Sequence, residues 1–298
     1  MVSNVQLQLV KSADAGPQAW IAAATARFDA PASASIRRAF DDLLAVAERH
    51  DGLLERVCAL ADTVLQLDLD HEAVTATLLV PLLRLHLIDG ADLRARHGDV
   101  IAELVEGVLR MGEIGALSSH ALTPLRPEGQ AATQLEALRK MLLAMVQDVR
   151  VVLVKLADHL QDLREAIKSG DDRKMAEMAD ITQDLFAPLA NRLGVWQIKW
   201  ELEDLALRVR DPESYKRIAR LLDEKRQSRE RYIENVVAIL KGELARAGIA
   251  AEIYGRPKHI ASIHRKMEKK RLDFEGLYDV RAVRVLVRDV KEDRKSVV

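Results

Sequence analysis

Apolar residues recur at intervals of three and four along most of the chain, a spacing typical of helices that bury one face. The segments "LLERVCALADTVLQL" and "DVIAELVEGVLRM" show it, and a longer stripe runs from Leu135 to Leu156. This stripe predicts a long helix that ends near "KSGDD" at residues 168–172, because Gly favours a helix stop. Further helical segments follow, with an expected interruption at Pro188 and Gly194 and a final stop at Gly248.

Three parts of the chain lack this helical spacing. Residues 1–34 carry Gly, Pro, Ser and Ala without clear periodicity, which predicts a loose N-terminal segment. The stretch "EIGALSSHALTPLRPEGQ" at residues 113–130 is predicted to be a loop. After Gly248, "IAAEIYG" and "DVRAVRVLVRDV" are rich in β-forming residues. The predicted fold is therefore mainly α, then α+β: an all-helical region followed by the start of an α/β unit.

The composition bounds the class of protein. The chain has 298 residues, 49% of them hydrophobic and 31% charged, which suits two ordinary domains with real cores. Its 45 basic and 46 acidic residues nearly cancel, so the overall charge identifies no partner and any electrostatic argument has to be local. Cys58 is the only cysteine, which excludes an internal disulfide and a cysteine-built zinc site. We expect Cys58 to be buried and inert.

The N-terminal sequence and the apolar runs predict neither a leader nor a membrane span. The start of the chain is mixed and polar, unlike a secretory leader. The strongest apolar run, "LLVPLLRLHLI" from Leu78, is interrupted by Arg84 and is too short to cross a bilayer. We therefore expect a cytoplasmic protein without membrane contact.

One segment concentrates positive charge. "YGRPKHIASIHRKMEKKR" holds seven Lys or Arg and one Glu in eighteen residues, a net charge of +6. Gly255 and Pro257 predict the exit from a strand and the first residue of a helix that runs to about Lys270. At about 100° per residue, one arc of this helix collects its polar residues and the opposite side its apolar ones. The polar set is Lys258, Ser262, Arg265, Lys266 and Lys269, and the apolar set is Ile260, Ile263 and Met267.

The charge pattern of this segment has three interpretations. Lysines, arginines and the free N–H groups of a helix start suit a polyphosphate. A solvated basic face and a site for the nucleic-acid backbone are the alternatives. The lack of aromatic residues for base stacking weakens the nucleic-acid interpretation, so no direct DNA binding is expected. The pattern alone leaves the three open.

"YGRPKHIASIHRKMEKK" resembles the opening motif of the synthetase domain in the RelA/SpoT family, which makes the alarmone (p)ppGpp. The upstream blocks "LLAMVQDVRVVLVKLADHLQDLRE", "FAPLANRLGVWQIKWELEDLALR" and "YKRIARLLDEKRQSRERYIE" resemble the same family in the same order. The resemblance covers about residues 40–290. It implies a degenerate HD-type hydrolase domain at 35–175 and a helical connector at 176–245. The first part of a nucleotidyltransferase-like synthetase domain would then occupy residues 246–298.

The resemblance also implies an activity. The family transfers pyrophosphate from ATP to the 3′-hydroxyl of GTP or GDP in the stringent response. By motif, Arg256, Lys258, Ser262 and Lys266 resemble its ATP-phosphate contacts. Asp279 resembles the carboxylate that holds Mg²⁺, a cation that prefers oxygen ligands. Expected partners are ATP, GTP or GDP and, for the full-length protein, the ribosome. Ala261 and His264 replace residues that are commonly aromatic, which leaves a stacking contact there unsupported.

The hydrolase half departs from the family pattern. Active hydrolases of the family bind a metal through histidines, a His-Asp pair and a later Asp. This sequence has Val80 and Pro81 in place of the pair, and neither residue can ligate a metal. Asp158 keeps the position of the last ligand, and the spacing of His50, His71 and His86 matches no ligand set. We expect an inactive hydrolase of the RelA type; a non-catalytic regulatory module and a metal-dependent (p)ppGpp hydrolase are the alternatives.

The end of the sequence bears on activity. The family's guanine-stacking Tyr and its general-base Glu come later than the Asp279 motif, and no equivalent occurs within the 298 residues. We therefore expect no catalytic base in this chain and no activity of the isolated chain. The final "DRKSVV" is unlike the family and can be back-translated into a common sequencing-adapter sequence. This predicts that the natural protein is longer.

Overall fold

A computed structural model describes residues 16–121, 135–137, 139–141, 148–224, 226–277 and 281–288. The chain divides into two compact units, Met1–Lys199 and Trp200–Val298. The division falls within the range predicted as a helical connector. In the part of the chain that is described, no helix has both the length and the apolar character needed to cross a bilayer.

The first unit is helical throughout its described ranges, which confirms the predicted fold class. Its elements are α1 Pro17–Thr25, α2 Ala30–Ala47, α3 Leu53–Gln66, α4 His71–Arg84, α5 Gly90–His97, α6 Asp99–Ala121, α7 Val149–Ser169, α8 Asp172–Ile181, a π-helix Thr182–Phe186 and α9 Ala187–Arg192. Aspartates begin several of these helices: the side chains of Asp29 and Asp70, for example, accept backbone N–H groups three residues later. Such caps stabilise each helix start by about 1 kcal/mol.

The N-terminal segment is more ordered than its sequence predicts. Residues 17–25 form α1 and α2 begins at Ala30, so the prediction of a loose segment over residues 1–34 is wrong in both places. Trp20 is 1% exposed, stacks on Phe40 with ring centroids 5.2 Å apart, and donates from Nε1 to Asp62 at 2.9 Å. These contacts to distant residues hold α1 in place although its own residues lack a strong amphipathic pattern.

Asp62 gives the first unit a pH dependence that can be tested. Burial raises the pKa of Asp62 to about 6, although the bond from Trp20 lowers it. A carboxyl whose pKa is higher in the folded state stabilises the fold below pH 4, and this contribution is lost as pH rises to about 6.

Asp62→Asn keeps an acceptor for Trp20 and removes the charge. We expect its free energy of unfolding to rise relative to wild type between pH 4 and 7, by up to about 3 kcal/mol. Urea unfolding across this pH range measures the difference, and a pH-independent difference would contradict the assignment.

Two predicted boundaries move. Helix α6 continues to Ala121, so the prediction of a loop from residue 113 is wrong over its first part. The predicted long helix is interrupted at Asp148, whose backbone is extended (φ −120°) and whose side chain caps α7. Helix α7 ends at Ser169, before Gly170 with φ 72°, as the sequence predicts.

The interruption predicted near Pro188 is a π-helix. In this segment the Thr182 hydroxyl donates to the Met178 carbonyl at 2.6 Å and lies 2.8 Å from Nε2 of His159. His159 is buried and stacks on Phe186, with centroids 3.7 Å apart. Burial lowers the pKa of His159 to about 3, so the ring is neutral at pH 7 and packs as an aromatic residue.

The second unit contains the predicted β-rich segments. Helix α10 (Trp196–Arg210) crosses the division between the units, and α11 Pro212–Glu224, α12 Arg226–Arg246, β1 Ala251–Pro257, α13 Ile260–Lys270, a 3₁₀ turn Phe274–Gly276 and β2 Arg281–Val287 follow. Strands β1 and β2 pair antiparallel, with Ile253 opposite Val285. One apolar cluster joins α12 to both strands through Leu244, Ile253 and Val285. The strand predictions after Gly248 are therefore confirmed.

Candidate functional site

The basic segment lies on a shorter helix than its sequence predicts. Helix α13 begins at Ile260, whereas Pro257 is the last residue of β1 and pairs with Arg281. The prediction that Pro257 starts the helix is therefore wrong. Pro257 has no N–H to donate, and the end of a strand tolerates this as a helix start does. The predicted end of the helix at Lys270 is confirmed.

The apolar face of α13 anchors it in a core. Ile263 is fully buried and forms a cluster with Ile218, Phe274 and Leu277. Ile260 and Met267 pack against this cluster from the same helix. Burying these side chains fixes the rotation of α13, at roughly 1.5–3 kcal/mol for each one fully buried. The predicted apolar stripe is confirmed.

The start of α13 already holds a carboxylate. The Ala261 N–H, the second in the helix, donates to Oδ1 of Asp204 on α10 at 2.7 Å. Nδ1 of His259 lies 3.3 Å from the other oxygen of Asp204, and the His259 ring stacks on Trp200 with centroids 4.6 Å apart. The expectation that free N–H groups at this helix start face a phosphate is therefore wrong for the Ala261 amide, because Asp204 binds it.

The polar face of α13 keeps most of the predicted residues. Ser262 and Lys266 are one turn apart and half-buried, and Lys269 is exposed. Arg265, from the same arc, forms an ion pair with Glu203 at 2.8 Å. Lys258 is half-buried and precedes the helix, so it reaches the site from the loop and not from the helix face.

Two predicted site residues, Arg256 and Asp279, lie wholly or partly outside the described part of the chain. The backbone of Arg256 lies in β1, opposite Ala282, and its side chain lies outside the described part. Asp279, the predicted Mg²⁺ ligand, lies outside the described residues altogether. Lys258, Ser262 and Lys266 lie in the described part of this segment, and the roles of all five residues stay predictions.

The hydrolase-like region of the first unit is built on buried helix α4. Val80 is fully buried and Pro81 is buried within the helix, so this turn supplies packing groups where the resemblance expects metal ligands. One turn after Val80, Arg84 donates to both oxygens of Asp158, at 2.6 and 3.3 Å. The Arg84 guanidinium thus binds Asp158, the one residue that keeps the position of a metal ligand in the family pattern.

Asp158 is surrounded by three cations, a group that we call the Asp158 cluster: Asp158, Arg56, Arg84 and Lys155. Besides Arg84, Lys155 donates to Asp158 at 2.8 Å and Arg56 approaches at 3.4 Å. Arg56 also pairs with Asp162 at 2.5 Å. Burial alone would raise the pKa of the fully buried Asp158 carboxyl, but Lys155 and Arg84 hold its pKa below the ordinary value. The cluster connects α3, α4 and α7.

The residues of this region do not fit a divalent metal. Metal binding needs several donors that face one point, and the oxygens of Asp158 face three positive groups. Within the described ranges, no three His, Cys, Asp or Glu side chains are grouped so that they could hold a metal ion. His71 begins α4, and His86 is exposed in a left-handed turn with φ 56°.

A groove of about 990 Å³ opens next to the cluster. Its lining includes Arg49, Arg56, Arg164 and Lys168, together with three carboxylates. Three acidic side chains engage Arg56, and the four cations of the lining lie beside three lining carboxylates, so the positive charge of the groove is largely compensated. The groove therefore offers no concentrated positive field for a polyphosphate.

Sequence reasoning missed the residues that act over long separations. Asp204 precedes Ala261 by 57 positions, and Arg84 precedes Asp158 by 74. One signal was available: Arg84 is a charge within the strongest apolar run, and a charge in a buried helix needs a partner. No comparable local signal marks Asp204.

Comparisons with known proteins agree with both regions. Residues 32–196 match the HD domain family, and residues 255–298 match the family described as a region found in RelA / SpoT proteins. A GTP pyrophosphokinase of Escherichia coli (strain K12) is 41% identical over 240 residues, 80% of this chain and 32% of that protein. A GTP pyrophosphokinase of Photobacterium angustum is 39% identical over 89% of this chain and 35% of its own length.

A third relative has a different name. A probable guanosine-3′,5′-bis(diphosphate) 3′-pyrophosphohydrolase of Synechocystis is 37% identical over 83% of this chain and 31% of its own length. The chain thus spans about a third of the length of these relatives. Proteins similar to this chain therefore include some named as pyrophosphokinases and one named as a pyrophosphohydrolase.

Proposed function

Because the chain belongs to the RelA/SpoT family, we propose that its second unit carries the ATP-phosphate contacts of a (p)ppGpp synthetase. One observation carries the proposal. The helix of the RelA/SpoT region is anchored in a core by Ile263, and Ser262 and Lys266 lie one turn apart on its polar arc. Lys258 and Arg256 precede it in the same segment. Such a rigid, cationic surface suits a triphosphate better than a mobile basic tail does.

In the proposed reaction, the 3′-hydroxyl of GTP or GDP attacks the β-phosphorus of ATP. A new P–O bond forms, the bond between the β-phosphorus and the α–β bridging oxygen breaks, and AMP leaves while the hydroxyl proton goes to a base. Lys258, Ser262 and Lys266 bind and orient the phosphates and offset their charge, the main work in phosphoryl transfer. Mg²⁺ is expected to accompany ATP, with Asp279 as its proposed ligand.

We propose a structural role for the first unit. The observation that favours it is the Asp158 cluster, because ion pairs link α3, α4 and α7 around the position where hydrolases of the family need a metal. An HD domain held together in this way can support or restrain the synthetase unit without cleaving (p)ppGpp. Hydrolysis is suggested by the name of the Synechocystis relative, but among the described residues no group of His, Cys, Asp or Glu side chains could hold its metal.

The synthetase proposal is tested by product formation. A longer protein that includes the rest of the synthetase region should convert γ-labelled ATP and GDP into labelled ppGpp. Thin-layer chromatography separates this product from the substrates. The 298-residue chain alone should form none, because the expected general base is not among its residues. Absence of product from the extended chain, with AMP release also absent, would refute the proposal.

The first unit is expected neither to bind Mn²⁺ stoichiometrically nor to release pyrophosphate from ppGpp. The cations around Asp158 repel a divalent ion, and Val80 and Pro81 supply no donor atoms. Elemental analysis after dialysis measures the metal, and chromatography of ppGpp incubated with Mn²⁺ measures cleavage. One equivalent of bound Mn²⁺ together with pyrophosphate release would restore the hydrolase alternative.

A further inference from the structure

The N-terminal turn of α13 is capped by a residue from another helix. His259 occupies the N-cap position, with an extended backbone, but its side chain makes no capping bond to the helix. Asp204 of α10 supplies the missing acceptor, 2.7 Å from the Ala261 nitrogen. Its side chain is 18% exposed, so the bond is partly shielded from water. Asp204 therefore performs, from 57 residues away, the role that an N-cap Ser or Asp performs locally.

Further contacts between α10 and α13 surround this cap. Arg265, one turn after Ala261, pairs with Glu203, whose side chain is 11% exposed. Trp200 stacks on the His259 ring with planes inclined by 18°. Together these contacts fix both the first turn of α13 and the residue that precedes it. Lys258 is adjacent to His259 in the chain, so the direction of its backbone is set by the same contacts.

The carboxylate also decides what can bind at the helix start. Backbone N–H groups at a helix N-terminus attract anions, and an ATP phosphate would compete for them. Asp204 already binds the Ala261 N–H and places a negative charge there. A triphosphate near this segment is thereby directed to the cationic side chains and away from the capped amide.

We propose that Asp204 is a positioning residue for the ATP phosphates. It caps α13 and holds Lys258, Ser262 and Lys266 in the arrangement that binds the triphosphate, without touching the nucleotide itself. This role rests on the proposed synthetase function. It requires that loss of the cap weakens ATP binding even when the second unit stays folded.

The test uses the 298-residue chain and Mg²⁺·ATP. Asp204→Ala removes the acceptor, and Asp204→Asn keeps an acceptor without the charge. Ile218→Val is the matched control, because it removes one methyl group from the core beneath α13 and leaves the cap intact. Calorimetric titration measures the Kd for Mg²⁺·ATP, and hydrogen exchange of residues 259–266 measures the order of the first turn.

We expect Asp204→Ala to raise the Kd about tenfold and to lose exchange protection in this turn, since small displacements of binding groups are costly. Asp204→Asn should stay within about threefold of wild type, and Ile218→Val should bind as wild type does. Equal or tighter binding by Asp204→Ala would overturn the positioning role alone. Failure of the wild-type chain to bind Mg²⁺·ATP would instead remove the proposed function and this role with it.

Discussion

Replacing Lys266 by alanine is expected to lower pyrophosphate transfer by at least about tenfold in a chain extended through the synthetase region. Lys266 is half-buried on the polar arc of α13 and is not a member of the apolar Ile263 cluster, so its truncation leaves that cluster intact. A cation that contacts phosphate while charge develops contributes a few kcal/mol to transition-state stabilisation, enough for this loss. Steady-state rates with varied ATP measure kcat and KM for the variant.

Ile263→Ala is the control for this experiment and should behave in the opposite way. It removes a fully buried side chain and should lower the free energy of unfolding by about 2–4 kcal/mol. Lys266→Ala should cost clearly less stability than Ile263→Ala, because Lys266 is half-buried and not a member of the core cluster. Unchanged kcat and unchanged KM for ATP in Lys266→Ala would identify the segment as a solvated basic face.

Asp158→Asn is expected to lower the free energy of unfolding of the first unit by about 3–5 kcal/mol, since it leaves Arg84 and Lys155 facing a neutral group. The pH dependence follows from the lowered pKa of Asp158. A carboxyl whose pKa is lower in the folded state stabilises the fold above its unfolded pKa near 4. The difference between wild type and variant should therefore be complete at neutral pH and shrink as pH falls below about 4.

Asp162→Asn is the matched comparison for Asp158→Asn. Asp162 also pairs with Arg56, but its side chain is 30% exposed, whereas that of Asp158 is fully buried. Exposed pairs contribute at most about 1 kcal/mol, so this substitution should have a small effect. Denaturant unfolding between pH 3 and 7 compares the two variants with wild type. An equal decrease in the free energy of unfolding for both variants would show that the burial of Asp158 does not strengthen its ion pairs.

Local patterns in the sequence predicted the parts of the fold that depend on local physics. The spacing of Ile260, Ile263 and Met267 identified the buried face of α13, and Gly170 marked the end of α7. The β-rich texture after Gly248 identified both strands. In each case residues close in sequence are also close in space, so the sequence pattern is enough to predict the element and its buried face.

The features that local patterns did not predict depend on contacts between residues far apart in sequence. The start of α13 depends on Asp204, and the order of α1 depends on the contact of Trp20 with Asp62, 42 residues later. The Asp158 cluster likewise joins three helices. A periodicity cannot report such pairs, because each member taken alone looks like an ordinary polar or aromatic residue. Family resemblance located Asp158 but not the cations that surround it.

If α13 and the residues before it bind the phosphates of ATP, calorimetric titration of the 298-residue chain with Mg²⁺·ATP should show it. Wild type and the double variant Lys258→Ala/Lys266→Ala are compared at two salt concentrations. We expect saturable binding by wild type that weakens with salt, and at least about tenfold weaker binding by the double variant. Equal affinity of the two proteins, or no binding by wild type, would contradict it.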